Sequence, residues 1–68
     1  MNKNILTQRE KEVFELLILN NTTVQIAEKL NISEKTVRNH ISNAMQKLGV
    51  KGRAQAVIEL LRMNIISL

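Results

Sequence analysis

The sequence predicts an all-α fold of four short helices, on three grounds: a composition poor in turn and strand formers, apolar residues at helical spacing, and start and stop signals around each apolar stretch. Proline is absent, glycine occurs only at 49 and 52, and Phe14 is the sole aromatic residue, a composition that favours helix. At 68 residues the chain has room for one domain, residues 1–68, close to the lower limit at which a single core holds a fold without staples. There is no cysteine, and His40 is the only histidine, so one copy can assemble neither a disulfide framework nor a four-ligand zinc site. Packing alone must hold the core, and no metal or cofactor is expected.

Thr7-Gln8-Arg9-Glu10 has the form of a capping box and opens a first helix at about 8–20. Val13, Phe14, Leu16, Leu17 and Ile18 form its apolar side, Arg9, Lys11, Glu12 and Glu15 its polar side, and Asn20-Asn21 breaks it. Thr22-Thr23-Val24-Gln25 repeats the box before a helix at about 23–30 that carries Ile26, Ala27 and Leu30. Asn31 tolerates a left-handed backbone and Ser33 is a strong N-cap, so Asn31-Ile32 makes a tight turn into a third helix at about 34–48. Glu34 and Lys47 complement that helix's dipole and Gly49 ends it. The second and third helices together form a helix-turn-helix. After Val50-Lys51-Gly52 comes a fourth helix at about 53–63, whose core face is expected to be Ala54, Val57, Ile58 and Leu61, continued by Ile65.

Charge is unevenly placed. Residues 1–31 balance Lys3, Arg9, Lys11 and Lys29 against Glu10, Glu12, Glu15 and Glu28, whereas the second half carries the whole net charge of +4, most of it between 35 and 53. A localised basic segment points to a polyanion partner, with merely solubilising lysines as the plainer reading. The third helix sharpens the choice. Val37, Ile41, Ala44 and Leu48 fall within an arc of roughly 60° at about 100° per residue and must face the core. The opposite side presents Lys35, Arg38, Asn39, Ser42, Asn43 and Gln46, with no large apolar group and no carboxylate. Arginine suits guanine O6/N7, and asparagine or glutamine suits adenine N6/N7. An ordinary solvated face would mix in glutamates for i,i+4 pairing, and here Glu34 stands alone. Arg38, Asn39, Ser42, Asn43 and Gln46 are the candidate base readers.

The stretches Leu6–Val13 (LTQREKEV), Ile26–His40 (IAEKLNISEKTVRNH) and Lys47–Val50 (KLGV) resemble, in this order, the DNA-binding domain of the LuxR/FixJ-type family. The likeness covers Leu6 to Met63. Residues 32–53 are most similar to a small sporulation regulator of that family that consists of this domain alone, and the chain's extent fits either such a stand-alone form or a fragment of a response regulator. The resemblance implies a four-helix fold, a homodimer, insertion of the third helix into the major groove of double-stranded DNA, and activation or repression of transcription, here of sporulation genes. Carried onto this sequence, it implies that Arg38, Asn39 and Ser42 approach bases and that Thr22, Thr23, Lys35, Thr36, Lys47 and Lys51 approach phosphates. His40, at the border of the apolar seam, joins the phosphate set or packs against a neighbouring helix. Asn21 and Asn31 depart from the family pattern, standing where glycine or another small turn residue is common.

Ala56, Leu60 and Met63 form a second apolar stripe on the fourth helix, opposite the expected core face. An exposed apolar stripe marks an interface, and a two-fold contact sets the same patch against itself. These three residues are the expected dimer interface, unless Ile65, Ile66 and Leu68 fold back over them, and Leu60→Glu is expected to break the dimer while sparing the fold.

Two other functions fit parts of this pattern: a promoter-reading segment of a sigma factor, and an adaptor that binds an acidic protein partner through the basic face. An enzyme is disfavoured, because no serine has a base or oxyanion arrangement nearby and no glycine-rich phosphate loop occurs. The longest apolar run, Leu16 to Leu19, is far too short to span a membrane, and the polar start does not lead into a signal peptide. A soluble, cytoplasmic protein with no membrane or small-molecule partner is expected, with RNA polymerase as a further candidate partner.

Overall fold

The computed structural model describes residues 5–68; the polar start at residues 1–4, with Lys3, lies outside the described residues. Four helices follow in order, α1 (Gln8–Ile18), α2 (Thr23–Leu30), α3 (Glu34–Leu48) and α4 (Arg53–Arg62), the first three starting where the capping signals predict and the fourth where its apolar spacing does. Both capping boxes close. Thr7 Oγ1 accepts from the Glu10 amide at 3.1 Å while the Glu10 carboxylate accepts from the Thr7 amide at 3.0 Å. Thr22 and Gln25 repeat the exchange at 3.1 and 2.8 Å. Ser33 caps α3 through the Thr36 amide at 3.0 Å. Reciprocal bonds of this kind satisfy amides that the first turn of a helix leaves without partners.

Each helix stops where a residue adopts the left-handed backbone: Asn20, Asn31, Gly49 and Asn64 have φ of 69°, 57°, 70° and 59°. Asparagine tolerates this region better than other side chains, which explains how a chain with two glycines ends four helices. Of the two asparagines that depart from the family pattern, Asn31 takes the left-handed turn, whereas after α1 it is Asn20 that does so. Asn21 instead ties the end of α1, donating from its amide side chain to the Leu16 carbonyl at 2.9 Å and accepting from Lys29 Nζ at 2.7 Å. The α1 helix ends at Ile18, two residues before the expected end at about residue 20.

The third helix is the centre of the fold and packs against α1, α2 and α4. Its seam of Val37, Ile41 and Ala44 is buried and Leu48 is partly buried. The same core takes in Leu6, Val13 and Phe14, Ile26 and Ala27, and Ile65 and Ile66. The helix-turn-helix angle is thus set by a single apolar seam, which leaves the other side of α3 to solvent.

On α4 the expected faces are reversed at four positions, while Val57 and Leu61 pack against the core as expected. Ala56 and Leu60, assigned to the dimer surface, are wholly buried, while Ile58, assigned to the core, is 54% exposed and Ala54 is exposed as well. The α4 helix has apolar residues on both sides, so periodicity alone does not choose between them. The choice is made by the turn at Asn64. It sends the Ile65 amide back to the Leu60 carbonyl at 2.9 Å and carries Ile65 and Ile66 into the core that Leu60 occupies. Ala56 and Leu60 therefore offer nothing to a second copy, and Leu60→Glu is expected to disrupt the fold. Met63, 39% exposed, keeps the surface position expected of it, and of the three residues that could fold back over the stripe Ile65 and Ile66 do so while Leu68 stays exposed.

Candidate nucleic-acid interface

The second turn of α3 is the middle of the site. Arg38, Asn39, Ser42, Asn43 and Gln46 are all exposed, as is Lys35, and they lie across the helix from the buried seam. Thr22, at the N-cap of α2, is exposed, and Thr23 and Thr36 are half-buried. Thr36 Oγ1 lies 2.9 Å from Ser33 Oγ, so both hydroxyls are gathered at the start of α3. Lys51 is exposed in the loop before α4, where its amide donates to Gln55 Oε1 at 3.3 Å. His40 is half-buried at the edge of the seam. Every candidate base reader thus reaches solvent from one face of α3, with the Ser33 and Thr36 hydroxyls at the start of that helix.

Two cations of α3 already have partners within the fold. Arg38 Nη1 lies 3.6 Å from Glu34 Oε1, one turn earlier on the same helix. Lys47 Nζ donates to Glu10 Oε1 at 2.7 Å, a bond from α3 to the first turn of α1. The sequence shows Glu10 as a member of a capping box and nothing more. Its second role joins positions 37 residues apart, for which no local pattern exists. The Glu10 side chain is only 4% exposed. Burial pushes its carboxyl upward, but the bond from Lys47 and the Thr7 amide, with smaller effects from the Lys47 charge and from His40, outweigh burial and hold it below its ordinary value.

That balance predicts an acid limit on stability. A carboxyl held low in the folded chain contributes stability that is fully present above its ordinary value of 4.5 and is lost as pH falls through the lowered folded value. Lys47→Met removes the partner and strands a buried carboxylate. It is expected to cost about 1–3 kcal/mol at neutral pH, with solvent at the lysine end keeping the loss to that range, and to flatten the acid limb. Thermal melts of both proteins from neutral pH down to acid test this; parallel curves would show that the pair contributes nothing.

The geometry can be set beside proteins of known kind. Residues 4–60 match the family model described as bacterial regulatory proteins, luxR family. The chain belongs to the luxR family. It is accordingly a DNA-binding transcriptional regulator and not an enzyme. It is 71% identical over 66 residues to the spore germination protein GerE of Bacillus subtilis (strain 168), covering 97% of this chain and 89% of that one. It is 49% identical over 59 residues to the transcriptional regulatory protein DegU of Brevibacillus brevis, where 87% of this chain spans 25% of the longer protein. A solved structure of the transcription factor GerE superposes with a TM-score of 0.92 at 57% identity, over 96% of this chain and 97% of that chain. The four-helix luxR-type helix-turn-helix expected from the motifs is thus the observed fold. Among the described residues no group of side chains is placed to hold a metal ion and no helix is long and apolar enough to cross a membrane.

Proposed function

We propose that this luxR-family domain is a cytoplasmic homodimer that binds specific sites in sporulation-gene promoters by inserting α3 into the major groove of double-stranded DNA. The exposed face of α3 carries the reading: five side chains able to hydrogen-bond base edges, Arg38, Asn39, Ser42, Asn43 and Gln46, occupy one side of a helix whose other side is locked into the core. Thr22, Thr23, Lys35, Thr36, His40 and Lys51 border that face and take the phosphates. Lys47 serves both, as the anchor of Glu10 and as a cation at the groove's edge. The likeness to a spore germination protein supports the sporulation role.

For the dimer, the solvent side of α4 replaces the stripe that turned out to be buried. Ala54, Ile58 and Leu61 recur at i, i+4 and i+7, and Ile58 is an exposed large apolar side chain beside the half-buried Leu61 and Val57. Such a patch set against its own copy makes an isologous contact.

Base reading is tested at Arg38. Arg38→Ala is expected to lose discrimination at one base position of the selected site, worth about 1–3 kcal/mol there, and to leave the other positions readable. Selection of bound sites from random duplexes by both proteins gives the comparison, and an unchanged motif from the variant would rule out Arg38 as a base reader.

A further inference from the structure

We propose that Glu34 is a specificity-determining residue that acts through Arg38: it holds the guanidinium over the base edges and keeps its charge from settling on phosphates wherever no matching base is present. This rests on the reading of α3 as the DNA-reading helix.

Glu34 is the only carboxylate on α3. It lies in the first turn, where the helix dipole favours it and where a recognition helix meets base edges. A negative side chain in that place is repelled by every duplex, whatever its sequence. Its neighbour accounts for it. Arg38 stands one turn on, with Nη1 3.6 Å from Glu34 Oε1 and both side chains about half exposed. That separation is longer than a hydrogen bond, so the pair is an electrostatic tether. The closest approach to the carboxylate is through Nη1, and the edge formed by Nε and Nη2 has the donors suited to guanine O6 and N7. A carboxylate on one edge and a base on the other would orient the planar fork.

The same tether acts as a brake elsewhere. The cations of α3 are Lys35, Arg38 and Lys47. Glu34 compensates Arg38 and Glu10 holds Lys47, which leaves Lys35 as the cation of this helix with no carboxylate within ion-pair distance among the described residues. On random DNA, Arg38 gains little by leaving Glu34 for a phosphate. On a matched site it keeps Glu34 and adds the base. Glu34 thereby lowers non-specific binding more than specific binding.

The test uses the whole chain and two duplexes, one selected by the wild-type protein and one of random sequence. Fluorescence anisotropy titrations over a range of salt are read for the wild type, Glu34→Gln, Glu34→Asp, Arg38→Ala and the Glu34→Gln/Arg38→Ala double variant. Glu34→Gln is expected to bind the random duplex roughly twofold more tightly, the range of an i,i+4 ion pair on a helix surface, with a log–log salt slope steeper by about 0.9 for one added phosphate contact. It should gain less on the selected duplex, so the specificity ratio falls. Glu34→Asp, which keeps the charge, should restore the wild-type random-duplex affinity. In the Arg38→Ala background, Glu34→Gln should leave the ratio unchanged. A ratio preserved in Glu34→Gln overturns this inference alone, because the carboxylate then repels all DNA equally. A ratio that falls as much without Arg38 also overturns it, and makes Glu34 a base reader in its own right. A wild-type chain that does not separate the two duplexes overturns DNA readout and this inference together.

Discussion

Leu60→Glu is expected to leave the chain unfolded at neutral pH. Leu60 is wholly buried beside Ala56, Ile65 and Ile66, with no cation in that cluster to receive a carboxylate. An unpaired buried charge costs several kcal/mol, added to the lost packing of the leucine. A domain of 68 residues has only about 3–10 kcal/mol of stability at roughly 0.05–0.15 kcal/mol per residue. Far-ultraviolet circular dichroism of the variant should show the loss of most helix signal, without a cooperative thermal transition. A melt close to that of the parent would return Leu60 to the surface and reverse the assignment of the two faces of α4.

Ile58→Glu, two residues earlier on the same helix, is expected to have the opposite profile. Its side chain already meets solvent, so the fold should persist with its melting midpoint little changed. In the proposed dimer, however, the substitution brings two like charges together at the two-fold axis and removes apolar area from both copies. Binding to a full site, with half-sites about 10 base pairs or roughly 34 Å apart, should then collapse toward the affinity of one half-site. The log–log salt slope should halve with it, because one subunit's phosphate contacts are lost. Sedimentation and salt titration read the two effects separately. If the variant still dimerises and protects the full site, α4 is not the interface.

Much of this molecule is legible from short-range pattern. Thr7, Thr22 and Ser33 announce three helix starts, and Asn31 and Gly49 two helix ends, because capping couples residues within four positions of one another. The seam of α3 is equally plain, and with it the exposed set from Lys35 to Gln46, since a helix with one apolar side has only one way to face a core. The α4 helix had two such sides, and helical period alone carries no sign that says which is inward. The returning Ile65 and Ile66 decided it, through a left-handed Asn64 that local pattern did not single out. The bond from Lys47 to Glu10 is of the same kind: the sequence shows a capping glutamate and a C-terminal lysine, each explained by its own helix. The sequence by itself determined the four helices, the caps at Thr7, Thr22, Ser33, Asn31 and Gly49, and the solvent-facing side of α3, all of which depend on contacts within a turn or two. Tertiary structure alone decided which face of α4 is inside and which cations are already paired, because both depend on where separate helices meet.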